Sequence, residues 1–252
     1  MRLRTVLLLI FIFALCAVGT LQADDESKAE KAAAIAERVM EALGGEEAWE
    51  STRYLKFGFF ERRFHTWDRA TGHYRLEGTD REDRPYVVLM NLSSKQGRAQ
   101  RDGAALAGEE LTTALENAWA AWVNDTYWLL MPYKLRDPGV NLTWDSEDTL
   151  DGRGYDKLLM TFGDDIGLTP GDRYWVWVDR ETAQVDRWAY VLQSQEPDSD
   201  PTAWTWEGWE TYGGIRLAPM RQQVGGDRQI SLAPIEVPTE LSETLFTEFE
   251  AD

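Results

Sequence analysis

Few residues in this 252-residue chain are of a type that does chemistry, and their spacing organises none of them. Its two histidines, His65 and His73, fall at or near the strand ends of one expected hairpin, where a surface role is the simplest reading. The one cysteine, Cys16, lies in an apolar run near the start. A hydrolase needs a nucleophile with a base beside it, yet no G-x-S-x-G, HExxH or phosphate-cradling glycine loop is present. The acidic residues are plentiful, 44 in all, but scattered. Asp145-Ser-Glu-Asp with Asp151-Gly152 fails the calcium-loop spacing, because Glu147 and Thr149 stand where stronger ligands belong. Asp164, Asp165 and Asp172 punctuate a Gly/Pro-rich loop. A glycosidase would need two carboxylates facing each other across a cleft at about 5–10 Å, and the sequence nominates no pair. The expectation is therefore no catalytic residue, no metal site and no cofactor.

The aromatic residues carry more information: 12 Trp, 9 Tyr and 9 Phe. In Tyr174-Trp-Val-Trp-Val178 successive side chains of a strand point to opposite faces, so Trp175 and Trp177 share one face and Tyr174, Val176 and Val178 the other. Both faces are apolar there, and each needs a cover. Trp204 and Trp206 share a face on a later strand, and Val140, Leu142 and Trp144 on an earlier one. Such rings either fill a core between sheet and helices or line a cavity for an acyl chain or other apolar ligand. On the second reading the ligand-binding candidates are Trp122, Tyr127, Trp128, Met131, Trp144, Trp175, Trp177, Trp204 and Trp206.

The elements that would position these residues follow from hydrophobic period. Ala32, Ile35, Ala36, Val39, Met40 and Leu43 recur at helical steps, charged residues fill the other face, and Gly44-Gly45 ends the helix. From Arg53 onward the period is that of strands: a long aromatic strand opening at Tyr54, the turn Asp68-Arg-Ala-Thr-Gly72, and a second hairpin around Ser93-Ser-Lys-Gln. Residues 109–123 return to helical spacing, with Asn124-Asp125-Thr126 expected to end that helix and cap a short second one that Pro132 stops. Further strands are expected at 140–144, 155–162, 174–179, 187–193, 203–211, 215–223 and 229–235. The predicted fold is α+β: about eleven antiparallel strands in one curved sheet, a half-barrel, with helices covering its concave face.

The first 23 residues read as a secretory signal peptide, with Arg2 and Arg4, an apolar run, small residues and then Asp24-Asp25-Glu26. Leu15, ahead of Cys16, argues against lipid attachment there. That leaves 24–252 as one domain without cysteine, so neither disulfides nor thiolate chemistry is expected. The formal charge is −18, and loss of Arg2 and Arg4 lowers it by two, to −20. Such a surface repels phosphate backbones, so no nucleic-acid partner and no stable membrane insertion after signal cleavage are expected.

The stretch Trp122-Val-Asn-Asp-Thr-Tyr-Trp-Leu-Leu-Met-Pro-Tyr-Lys-Leu-Arg-Asp-Pro-Gly-Val140 resembles a signature of an uncharacterised exported bacterial family in the LolA-like superfamily. So do Gly167-Leu-Thr-Pro-Gly-Asp172 and Trp209-Glu-Thr-Tyr-Gly-Gly-Ile215, and the resemblance runs over about 33–249. It implies a half-barrel whose concave face is covered by helices. It further implies a non-enzymatic periplasmic carrier or binding protein for a lipid, a lipoprotein acyl chain or another hydrophobic ligand. The alternatives are an RseB-type sensor module that docks an envelope protein and, third, a secreted carbohydrate-active protein. The family pattern transfers no catalytic role to any position of this sequence.

Overall fold

The computed structural model describes residues 24–164 and 166–250, and the expected signal peptide lies outside them. Helix α1 spans 24–42. Its stripe of Ala32, Ile35, Ala36, Val39, Met40 and Leu43 is buried in the main core, as the spacing predicts. Gly44, at φ 116°, and Gly45, whose N–H bonds to Met40 O at 3.0 Å, end it. A short helix α2 (Glu46–Ser51) follows.

The expected long aromatic strand is instead a hairpin, β1 (Tyr54–Phe59) with β2 (Arg63–Asp68). Phe60 and Glu61, at φ 54° and 56°, turn the chain in the left-handed region that matches strand twist. Asp68 then folds its own turn, its Oδ1 accepting the N–H of Ala70 at 3.0 Å. The chain continues through β3 (His73–Thr79), β4 (Pro85–Asn91), β5 (Gly97–Arg101) and β6 (Ala104–Ala105).

Helix α3 (Gly108–Leu130) is one continuous helix where two were expected. Asp125 does not cap, because its carboxylate faces the sheet, and Thr126 Oγ1 bonds back to Trp122 O at 2.6 Å within the helix. Pro132 lies in a 3₁₀ turn, Met131–Lys134, that closes the segment. Next come β7 (Val140–Leu150), β8 (Arg153–Phe162), β9 (Arg173–Asp179), β10 (Val185–Val191) and β11 (Thr202–Thr205). The short strands β12 (Glu210–Tyr212), β13 (Ile215–Leu217), β14 (Met220–Gln222), β15 (Gln229–Ser231) and β16 (Ile235–Glu236), then α4 (Thr244–Thr247), complete the order.

The fold is α+β with antiparallel pairing throughout, but the strands do not form one eleven-stranded sheet. They divide into a seven-stranded sheet, β16-β1-β2-β3-β4-β5-β6, a five-stranded sheet, β11-β10-β9-β8-β7, and two two-stranded hairpins. Two of the expected strands break for local reasons: Gly208 takes φ 75° inside the first, and Pro219, which has no N–H to give a ladder, sits inside the second. Backbone bonds nevertheless stitch the seams: Val224 N to Ala203 O at 2.9 Å, Glu207 N to Met220 O at 3.0 Å, Phe60 N to Ser231 O at 3.0 Å and Gly58 N to Leu232 O at 2.9 Å. The β14–β15 hairpin thereby bridges β11 to β1, and β6 and β7 remain as open edges.

Both long helices lie on one face of this ladder. The second half of α3 joins α1 in the main core with Phe57, Leu158, Val176 and Trp188, while its first half covers Tyr74, Leu76 and Val88 of β3 and β4. The opposite face of the seven-stranded sheet carries the C-terminal segment. Arg75, buried on β3, donates to Glu248 O and Phe249 O, each at 2.8 Å, and to Glu77 at 2.7 Å.

Candidate functional site

The middle of α3 is anchored by a buried polar cluster. Asp125 would interrupt the apolar stripe of the helix, and the sheet supplies what its carboxylate requires. Arg63 grips it with two bonds, Nε to Oδ2 at 2.7 Å and Nη2 to Oδ1 at 2.8 Å. His65 Nε2 lies 3.0 Å from Oδ2, and Asn124 donates to Oδ1 at 2.8 Å. His65 is therefore not the surface residue expected: it is 1% exposed and stacked on Phe57 at 4.3 Å, whereas His73 is exposed. A carboxylate only accepts, which assigns the imidazole hydrogen to Nε2 and leaves Nδ1 to accept from Tyr74 OH at 2.6 Å. Burial pulls the His65 pKa down and outweighs the upward pull of Asp125. The same burial holds the Tyr74 hydroxyl well above its ordinary value. The cluster, an Arg63–Asp125 ion pair extended by hydrogen bonds to His65 and Tyr74, fixes α3 to β2 and β3. The one signal for it in the sequence was a carboxylate on the apolar side of a helix.

Beyond Asp125 toward the C-terminal end of the helix, α3 and the five-stranded sheet part to leave a cleft of about 390 Å³. Tyr127 and Trp128 form its helix side, and Phe162, Tyr174, Trp188 and Tyr190, from β8, β9 and β10, form its sheet side. The rings brace one another. Trp128 meets Trp188 edge-on at 4.8 Å, Tyr174 stacks on Trp188 at 5.3 Å, and Tyr127 tilts against Tyr174 at 5.7 Å. At the mouth two leucines are left in solvent, Leu168 at 47% and Leu192 at 37% exposure. The cleft is electrically quiet. Burial pushes the hydroxyls of Tyr127 and Tyr174 far up, so both stay neutral. The carboxylate among its described lining residues, Asp172, is 2% exposed and already accepts from Thr169 at 2.7 Å, Tyr174 at 3.2 Å and the Gln193 N–H at 2.7 Å.

Of the nine residues named from the sequence, Tyr127 and Trp128 line this cleft. Trp204 lies directly behind it, edge-on to Trp128 at 5.3 Å, and Trp206 and Met131 are deeper in the same core. Trp122 stands on the other side of Asp125, against Trp67 at 5.2 Å. Trp144 is half-buried on β7, with Lys31 Nζ 3.6 Å over its ring. Trp175 and Trp177 occupy the face of the sheet turned away from the helices, packed with Tyr155 and Ala189, and Trp177 donates to Asp148 at 2.7 Å. Among the described residues no helix covers them; Lys157 and Arg173 lie over the ring of Trp175 instead. Strand alternation had separated the two faces as they stand, but not which of them meets α3. Tyr174, Trp188 and Tyr190 were missed for that reason. Among the described residues no three His, Cys, Asp or Glu gather to hold a metal ion, and no helix is long and apolar enough to cross a membrane.

No protein-family model and no curated protein sequence matches the chain. Among solved structures it is similar to a DUF1329 family protein from Desulfovibrio piger, at 11% identity and TM-score 0.45 over 87% of this chain and 97% of that one. A second similarity is to a domain assigned to outer membrane lipoprotein sorting from Vibrio parahaemolyticus, at 10% identity and TM-score 0.43 over 86% and 97%. A LolA superfamily protein from Nitrosomonas europaea is a third, at 10% identity and TM-score 0.35 over 83% and 96%. Backbones that superpose only to this extent say nothing of what the aromatic cleft holds.

Proposed function

We propose that the protein is a non-enzymatic binding or carrier protein for a hydrophobic ligand, a lipid or a lipoprotein acyl chain, held in the aromatic cleft beneath the second half of α3. The observation that carries this reading is the cleft itself, a ring-walled space of about 390 Å³ with exposed Leu168 and Leu192 at its mouth. Its size falls in the range of small-molecule sites, about 300–1,000 Å³. Its walls offer dispersion contacts and few free donors or acceptors, which suits a chain of methylenes and not a sugar or a nucleotide. Asp172 has both oxygens hydrogen-bonded to Thr169, Tyr174 and Gln193, so it brings no unpartnered carboxylate to the cleft wall. The sequence resemblance to LolA-like carriers implies the same ligand class, and the export signal read at residues 1–23 suits a cargo handed across the periplasm.

The test is mass spectrometry of organic extracts from gently purified protein, with binding of the fluorescent probe N-phenyl-1-naphthylamine measured alongside. Wild-type protein carries an amphiphile and binds the probe. Leu192→Asp, which puts a charge at the mouth without touching the core, weakens probe binding at least tenfold. Absence of any co-purified amphiphile together with unchanged probe binding in that variant contradicts the proposal.

A further inference from the structure

A second cleft, of about 760 Å³, opens on the other side of Asp125, between the first half of α3 and the strands β3, β4 and β5. The two are separate along the helix. The larger one takes Ala114, Asn117, Ala118 and Ala121 of α3, and the aromatic one begins at Val123, with the Arg63–Asp125 pair between them. We propose that this second cleft binds a single-chain amphiphile with an anionic head, the chain lying on the apolar floor and the head held by arginines at the rim. The proposal is independent of the occupant of the aromatic cleft.

The floor is Leu76, Val88, Ala99, Leu106, Ala114 and Ala118, and the uncharged polar side chains of the lining are Thr79, Tyr86, Gln100 and Asn117. None of the floor residues brings a hydrogen-bonding side chain, so the floor accepts hydrocarbon. The rim differs from the rest of the surface. In a chain with 44 acidic and 26 basic residues, the charged side chains around this cleft are Arg62, Arg63, Arg81 and Arg101 against Asp80 alone. Two of the four are committed, Arg62 to Asp83 at 2.9 Å and Arg63 to Asp125. The other two have donors to spare. Arg81 has no hydrogen bond or ion pair among the described residues, and Arg101, with no side-chain hydrogen bond among them, holds its two carboxylate neighbours only at the outer limit of ion pairing, Nε 3.6 Å from Asp80 and Nη1 4.0 Å from Glu110. Asp80 is itself taken up by Arg84, by side-chain contact at 2.8 Å and by a backbone bond at 3.0 Å. A guanidinium pair at the mouth of an apolar cleft matches a carboxylate or phosphate head, which it can hold with forked, charge-assisted bonds. Phe60, at the turn between β1 and β2, extends the apolar surface to the same rim and is 44% exposed.

The test is titration calorimetry with hexadecanoate, hexadecanol and inorganic phosphate on the full chain carrying Leu192→Asp, which weakens the aromatic cleft, alone and with Arg81→Glu or Ala114→Trp added. Hexadecanoate is expected to bind at least tenfold tighter than hexadecanol, and inorganic phosphate at least tenfold more weakly than hexadecanoate. Arg81→Glu, whose side chain makes no contact that folding requires, weakens hexadecanoate at least fivefold. Ala114→Trp, which fills the floor, removes the tight binding. Equal binding of hexadecanol and hexadecanoate, indifference to Arg81→Glu, phosphate binding as tight as hexadecanoate, or tight hexadecanoate binding that survives Ala114→Trp each overturns the proposal. Circular dichroism of each variant reports folding, and the Arg81→Glu result stands even if Ala114→Trp does not fold.

Discussion

Replacing Asp125 by alanine tests whether the polar cluster is what seats α3 between its two clefts. The carboxylate is fully buried and receives bonds from Arg63, His65 and Asn124. Removing one partner of a buried ion pair costs about 3–5 kcal/mol, because the other charge is left behind. Two features set where in that range this site falls. The Arg63 side chain is 34% exposed, so water relieves part of its loss, whereas His65 Nε2–H is sealed in and has nowhere else to donate. The estimate is therefore about 3–4 kcal/mol, close to the cost of one unsatisfied buried donor plus part of an ion pair. For a domain of this size each kcal/mol moves the melting temperature by about 2–4 °C, so Asp125→Ala melts about 6–16 °C below wild type. The assay is thermal unfolding followed by circular dichroism at 222 nm. Arg63→Ala and the double variant close a cycle, with a coupling energy of at least about 1 kcal/mol expected. A fall of less than about 2 °C, or additive single effects, refutes the reasoning and makes the cluster incidental to the seating of the helix.

Three further outcomes follow from other groups. Arg221 is buried without a carboxylate partner among the described residues, stacked 3.3 Å over Trp206 and donating to Trp128 O at 2.5 Å and to Ala218 O at 2.9 Å; a lysine cannot fork across both, so Arg221→Lys destabilises by about 2–3 kcal/mol in urea unfolding, and a change below about 0.5 kcal/mol contradicts this. The His65 pKa is depressed by burial, so the unfolded chain takes its proton first: stability present above 6.5 is lost as pH falls from there through the folded-state value, and His65→Gln removes that slope in urea midpoints between pH 7 and 5. Burial raises Asp68 and Asp179, but hydrogen bonds from Arg53 and Thr71 to the first, and from Thr182 and Glu181 to the second, win and leave both below 3.8, so a second loss of stability begins only under that pH and shrinks in Asp68→Asn.

Much of this fold could be read from residue types, because each reading rested on a local rule. The α1 stripe, the Asp68 turn, the hairpin at Gly213 and the two-faced strand of Trp175 and Val176 all form as spacing and turn chemistry require. Departures came where a distant partner overrode the local signal. Asn124-Asp125-Thr126 has the composition of a helix break, yet Arg63 and His65, about sixty residues earlier, draw the Asp125 side chain to the sheet and the helix runs on. Phe60-Glu61 has no glycine or asparagine to announce a turn, so β1 and β2 read as one strand. Of the candidate site, Tyr127 and Trp128 were accessible as aromatics near the end of an amphipathic helix. The sheet-side wall was not, because alternation assigns residues to two faces and leaves open which face the helix meets.

The most direct test of the central claim, that the aromatic cleft under α3 holds the hydrophobic ligand, is ¹⁹F NMR of 5-fluorotryptophan-labelled protein titrated with an acyl ligand, with resonances assigned by single Trp→Phe variants. The structure predicts that Trp128 and Trp188, which wall the cleft, shift on ligand addition, and that Trp175 and Trp177, on the opposite face of the sheet, do not. Shifts confined to Trp175 and Trp177, or no shift at Trp128 and Trp188 under saturating ligand, contradict it.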